Sequence, residues 1–376
     1  MTGRLLYAAG ENSADMFYAT GMMTPDPFLF VQDASGRRHV VTSALEIDRT
    51  RRVSRVDEVH DWEPLRKRHI EEHPLSSPDM TDLIDRFLRQ LGLREVLVPR
   101  DFFVGVADGL RQRGVTVTVA SGNFWPERER KRPAEVEAIR QALAMTGRAM
   151  QAGIGLIIAS DIGEDGWLHL DGAPLTSERV RARINSHLVA EGAMPRNTIV
   201  AGGPQGADPH EMGSGPLLAH WPIILDVFPR VEESGYWGDM SRTVCRGKPT
   251  DRVRQAWEAV RQAQEVAFSR IRPGVASEEI HAAVSQHLTA AGFLTGPTPD
   301  GRQGGFFHGT GHGLGLEIHE APRIGTKGQI LEVGHVVTVE PGLYYPDMGG
   351  VRLEDVVVVE EGGCRNLTEF PKYLEV

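Results

Sequence analysis

Short apolar runs and longer stretches of 3.6-residue periodicity take turns along the first third of the chain. RLLYAAG, PFLFVQD and RHVVTS, residues 4–10, 27–33 and 38–43, predict strands, with the turn ASGR joining the last two. ALEIDRTRRV and MTDLIDRFLRQLG, residues 44–53 and 80–92, predict helices, and Gly92 suits the left-handed cap of the second. REVLVP and VTVTVA predict two further strands on either side of the helix-like DFFVGVADGLRQRG. This alternation describes a compact α/β domain. A charged segment follows, residues 123–133 with Pro126 and Pro133, and the expected division is 1–125 and 126–376. Its core, PERERKR, mixes signs and reads as a solvated linker.

The pattern changes after Pro133, which stands as the first residue of a long helix over 133–155 with Glu135 and Glu137 at its positive end. Further helices are predicted over 177–192, 250–271 and 277–292. Strands are predicted over 197–203, 221–230, 234–247, 335–345 and 349–360. Long helices over hairpin-like strands describe an α+β domain rather than a parallel sheet.

Composition narrows the classes. A chain of 376 residues suits two domains. With 41 basic and 51 acidic residues the net charge is −10, against a nucleic-acid backbone as main partner. Cys245 and Cys364 are too few and too far apart for a disulfide framework or a thiolate zinc site. No apolar run approaches the length of a membrane span. A cytoplasmic, reducing location is therefore expected, with no membrane partner.

Two features carry candidate chemistry. HGTGHGLGLEIHEAP, residues 308–322, holds His308, His312 and His319 in an apolar, glycine-rich frame. As residues alone they can be metal ligands, acid–base groups or loop histidines. The second feature is acids inside apolar strands. Asp226 ends an apolar run, and Asp239 follows a glycine-containing connection. Glu340 and Glu354 repeat the layout near the C-terminus, with Arg352 on the face of Glu354. If each pair closes a hairpin, all four carboxylates can face one cavity. Buried ionised carboxylates are costly unless paired or metal-bound, so the set points to two divalent ions. Oxygen donors with an imidazole suit Mn2+, Co2+, Zn2+ or Fe2+ better than a hard Mg2+ or Ca2+ cage. Asp355 and Glu232 read as ordinary exposed strand-end acids, and His281 and His287 as surface or boundary residues of a helix.

GYWGDMSRT, HGTGHGLGLEIHEAP, TVEPGLY and GGVRLEDVVVV, in this order and spacing, resemble the pita-bread metallopeptidases. That family includes methionine aminopeptidase, Xaa-Pro aminopeptidase, Xaa-Pro dipeptidase (prolidase) and the metal-free creatinase. FYATGMM is more faintly similar to the creatinase/prolidase N-terminal domain. The resemblance implies a pita-bread catalytic domain preceded by a smaller α/β domain. It also implies two divalent metal ions, Mn2+ foremost with Co2+ or Zn2+ as alternatives, on Asp226, Asp239, His312, Glu340 and Glu354. It gives Glu340 the proton transfer and His319 the oxyanion. His210, His308, Arg352 and Tyr344 become substrate contacts, with His220 a competitor of His210. The implied function is hydrolysis of Xaa-Pro bonds in short proline-containing peptides by a homodimer, as dipeptidase ahead of aminopeptidase. The extra N-terminal domain argues against methionine aminopeptidase. A silent binding protein on the same fold and a creatinase-like amidinohydrolase are the alternatives, and the intact ligand set disfavours both. Trp125, Phe306, Phe307 and Tyr345 are candidates for an apolar wall that accepts proline. One departure stands out: the two aspartates are thirteen residues apart, where the family usually has eleven, and the usual glycine after the first is missing. Two extra residues preserve side-chain parity.

Overall fold

The computed structural model describes residues 2–376, in two compact units divided after Pro126. The N-terminal unit is built on a six-stranded mixed sheet: β1 (Gly3–Ala8), β2 (Phe28–Gln32), β3 (Arg38–Thr42), β4 (Glu58–Asp61), β5 (Glu95–Val98) and β6 (Thr116–Val119). Their order across the sheet is β4-β3-β2-β1-β5-β6. Helices cover both faces, each closing an apolar cluster, around Leu5, Leu29 and Phe87 on one side and Leu6, Phe30 and Trp125 on the other. Helix Met80–Gln90 is followed by Gly92 at φ +67°, as its sequence predicts, and starts at a capping box of Asp79 with Asp82. Trp125 is core: it is buried against Phe30, Tyr18 and Phe124 and its indole N–H donates to the Asp15 carbonyl.

The C-terminal unit repeats one design twice. In its first half, helices Pro133–Ile158 and Ser177–Ala190 pack together over a three-stranded sheet of Ile199–Gly202, Ile223–Val227 and Met240–Val244. In the second, helices Asp251–Arg270 and Ser277–Ala290 pack over a five-stranded sheet that includes Gly311–Gly313, Val336–Val339 and Asp355–Glu360. Amphipathic helices bury one face on each sheet. The opposite ends of the strands are left for the site.

Two expectations fail here. Residues 127–132 are not a solvated linker. Lys131 is buried, with its ammonium 2.6 Å from Glu320, and Arg128 meets both Glu317 and Glu320 at 2.8 and 2.9 Å. Asp355 is not an exposed strand-end acid either. It is fully buried, and Arg242, Lys372 and Asn366 reach its two oxygens. In each case the compensating charge lies far away in sequence, where periodicity carries no information. Both cysteines are free, and no helix among the described residues is long and apolar enough to cross a membrane.

Candidate metal centre

The first hairpin pairs Val227 with Met240, so Asp226 sits within the ladder and Asp239 just beyond it on the facing strand, both on one side. The second pairs Val339 with Asp355, which sets Glu340 and Glu354 opposite one another at the ladder end. The hairpins are stitched together by small hydroxyls. Ser241 donates to Glu354 at 2.9 Å, the Glu354 N–H donates to the Ser241 carbonyl, and Thr243 exchanges two bonds with the Arg352 backbone. The third contributor is the strand Gly311–Gly313. It approaches its neighbours so closely that a Cβ on Gly311 would lie 1.9 Å from the Thr338 carbonyl oxygen. Only glycine permits that approach, and it carries His312 in beside the acids.

All five donors line one cavity of about 720 Å³. His312 Nε2 is 3.4 Å from Glu340 and 3.6 Å from Asp239, and donor atoms of Asp239, His312 and Glu354 lie within 4.8 Å of one another. The His312 Nδ1–H donates to the Gly313 carbonyl at 3.1 Å, so the Nε2 lone pair points at the carboxylates. An imidazole in this tautomer is a ligand in waiting. Burial pushes the acids of Asp239 and Glu354 well above the carboxylate range, reinforced by the neighbouring carboxylates. Glu340 is pushed up to about 8, again chiefly by burial, and burial drops His312 to about 3. Asp226 keeps one buried oxygen without a hydrogen-bond partner. Four carboxylates share one buried guanidinium, and an inward-facing imidazole adds no proton. The donor set therefore fits divalent cations and is poorly satisfied by protein groups alone.

Among the described residues, Arg352 is the cation bonded directly to these acids. It donates to Asp226 at 2.7 Å, to Ser241 at 2.9 Å and to the Tyr344 hydroxyl at 3.0 Å. Burial opposes its charge, and Tyr344 and Asp226 more than offset that. Tyr344 is completely buried behind the cavity wall, and its hydroxyl reaches His308 Nε2 at 3.0 Å. His308 Nδ1 is engaged by the Gly309 carbonyl, so both ring nitrogens already have partners. Arg352, Tyr344 and His308 thus form one buried relay ending on Asp226. His319 stands edge-on to His312, with ring centroids 4.3 Å apart, on the exposed side of the cavity, and His210 lines the same side. His220 lies away from it, accepting the Lys248 N–H.

Of the four aromatic candidates only Phe307 lines the cavity; Phe306 packs into the core against His281 and His308, and Tyr345 bonds the Leu294 carbonyl. Phe228, Ile318 and Arg323 line it without having been singled out from sequence. Phe228 belongs to the longer connection between the aspartates. That connection adds the short strand Arg230–Val231 and is anchored by Trp237, whose backbone and indole N–H groups donate to Gly315 and Leu316. Glu317 and Glu320, although beside His319, face the basic segment at 128–131.

Known proteins bear on this arrangement. The Bacillus subtilis (strain 168) protein described as uncharacterized peptidase YqhT is 39% identical over 178 residues, 47% of this chain and 47% of its own length. The Xaa-Pro dipeptidase of Pyrococcus furiosus is 29% identical over 248 residues, 65% of this chain and 64% of that protein. The chain spans about half the length of most curated relatives it matches. Among solved structures, the prolidase from Pyrococcus horikoshii OT3 superposes with a TM-score of 0.79 at 22% identity, covering 100% of this chain and 95% of that one. Dipeptidase PepE from Mycobacterium ulcerans gives 0.76 at 27% identity, covering 100% and 93%. The C-terminal unit accordingly has the pita-bread fold. The profile of metallopeptidase family M24 matches residues 137–361, which hold all five converging donors, and the chain belongs to that family.

Proposed function

We propose that the protein is a dinuclear-metal peptidase that hydrolyses the Xaa-Pro bond of dipeptides. The observation that carries the reading is the complete donor set, Asp226, Asp239, His312, Glu340 and Glu354, converging in one cavity with a buried Asp226 oxygen left without a partner. These five side chains would hold two divalent ions, Mn2+ foremost, with Co2+ and Zn2+ suited to the same donors. Such ions supply positive charge that acidifies water and polarises a carbonyl.

The remaining work falls to the chain. Glu340, at the strand end and open to the cavity, accepts the proton of the attacking water and returns it to the leaving proline nitrogen. His319, on the exposed wall, donates to the carbonyl oxygen as negative charge develops there. Arg352, held on Asp226, Ser241 and Tyr344, acts chiefly as a positioning residue at the cavity wall. Phe228, Phe307 and Ile318 give the cavity apolar surface against which a proline ring can lie.

Arg323 favours a dipeptidase over an aminopeptidase. Its guanidinium is exposed at the cavity, and among the described residues no carboxylate pairs with it. It is placed to take the terminal carboxylate of a two-residue substrate. The test is hydrolysis of Ala-Pro, Ala-Pro-amide and Ala-Pro-Ala after chelation and Mn2+ add-back. Rapid cleavage of Ala-Pro alone, with an elevated KM in Arg323→Ala, is the expected result. Release of alanine from Ala-Pro-Ala at a comparable rate would make the protein an aminopeptidase, and failure on all three would remove the Xaa-Pro assignment.

A further inference from the structure

A second set of metal-type donors converges in the N-terminal unit. His39 lies on β3, and Glu58 and His60 lie on β4, the outermost strand of the sheet. Parallel pairing sets His39 beside Glu58 and Val41 beside His60, and residues two apart on a strand share a face. His39 Nδ1 is 3.3 Å from His60 Nε2 and 3.4 Å from Glu58 Oε2, and His60 Nε2 is 3.3 Å from that same oxygen. The three donor atoms make a nearly equilateral triangle. Donors bonded at about 2.0–2.1 Å to a tetrahedral zinc ion stand about 3.3–3.4 Å apart. The triangle has the size of one face of that tetrahedron.

Proton placement leads the same way. His39 Nε2 is 3.2 Å from Asp33 Oδ2, and the other Asp33 oxygen is fixed by Ser35 and by the Arg37 N–H. This carboxylate accepts a hydrogen bond from the Nε2–H of His39, the tautomer that leaves Nδ1 its lone pair. A carboxylate on the far nitrogen is also what orients and strengthens metal-bound imidazoles. Arg37 engages Oε1 of Glu58 and leaves Oε2 to the triangle. His60 Nε2 faces the same point, 3.3 Å from both His39 Nδ1 and Glu58 Oε2. Phe87 packs edge-on to both rings, with centroids 6.1 and 5.0 Å away, and fixes their planes. Three metal-type donor atoms thus converge on one point.

We propose that His39 Nδ1, His60 Nε2 and Glu58 Oε2 bind one Zn2+-class ion in the N-terminal unit, a site additional to the acid-lined cavity. Two imidazoles and one carboxylate suit zinc or cobalt and are a poor match for Mg2+ or Ca2+. The Glu58 and His60 side chains are 36% and 32% exposed, which leaves water access for the fourth position. Bound there, the ion cross-links the edge strand β4 to β3.

The site is tested on the full chain carrying Asp239→Asn and Glu354→Gln, which removes two donors from the cavity. This protein is stripped with a chelator, loaded with zinc chloride, desalted and analysed for metal. One zinc per chain should be retained and lost on adding His60→Gln, a substitution at a partly exposed position, while far-UV circular dichroism stays unchanged. Cobalt in place of zinc should give an intense tetrahedral visible band that His60→Gln abolishes. If the doubly substituted chain does not fold, the same difference of one zinc is read between wild type and His60→Gln alone. Retention indifferent to His60→Gln, or no zinc retained before it, overturns the site.

Discussion

The two hairpins of the C-terminal unit bring acids to one cavity by different means. The first contributes two aspartates, one inside its ladder, and a long connection anchored by Trp237. The second contributes two glutamates facing each other where its ladder ends, with Arg352 two residues upstream. Short side chains on the ladder cannot move far, and longer ones at an open end can. The first hairpin therefore supplies fixed oxygens, and the second supplies reach and the buried guanidinium of Arg352. The proposed centre, which would hold cations and shuttle a proton, calls for both qualities.

The strongest way to break this contrast is to neutralise one acid from each side. Asp239→Asn and Glu340→Gln should each lower kcat/KM on Ala-Pro by about 100- to 10,000-fold. Both are among the five donors, but Asp239→Asn should lose more bound metal than Glu340→Gln, whose longer arm also serves proton transfer; metal analysis alongside kinetics distinguishes them. Equal metal loss in both would erase the division of labour. Next in size is Arg352→Met, which leaves Asp226 buried without its cation. Breaking a buried pair costs about 3–5 kcal/mol, read as a lower urea midpoint of the metal-free protein and partly restored by Mn2+. A smaller effect is expected from Ser241→Ala, which removes the hydroxyl linking Arg352 to Glu354. Loss of such a supporting bond typically weakens metal binding by about 10- to 100-fold. Thr338→Ala, whose bond to Glu340 is longer at 3.4 Å, should do less. If Thr338→Ala proved the more damaging, the cross-hairpin bond would not be the important one.

The smallest effect concerns acid stability in the second half alone. Burial drops His335 to about 4, helped by Lys131 and Arg130. A histidine whose folded pKa is depressed favours the folded state above its unfolded value near 6.5, and that contribution drains away as pH falls toward 4. We expect about 2 kcal/mol or less from this residue, seen as a steeper fall of unfolding midpoint between pH 6.5 and 4 in wild type than in His335→Gln. Parallel curves would assign the acid sensitivity elsewhere.

The legible parts of the chain are those where local pattern and tertiary role agree. Helices Pro133–Ile158 and Asp251–Arg270 are amphipathic over many turns and appear where periodicity puts them. Helix Trp62–Glu72 was not visible, because its charged sequence buries only Leu65 and His69. In the cavity, Asp226 and Glu354 announced themselves by being acids in apolar strands. Arg323, Phe228 and Ile318 did not, since an exposed arginine or a loop apolar residue looks ordinary until the backbone has turned it inward. Asp355 shows the converse error: its cations Arg242 and Lys372 are 113 and 17 residues away, a pairing that no local window contains.

The clamp of Arg128 and Lys131 on Glu320 decides where the C-terminal unit can be cut. Expression from Arg132, at the threshold of the first long helix, would look natural and would strip both cations from a carboxylate whose side chain is only 7% exposed. Glu320 adjoins His319, so the uncompensated charge would fall beside a histidine of the cavity wall. A fragment beginning at Glu127 keeps the clamp. The border of the unit is electrostatic, six residues ahead of the helix that marks it to the eye.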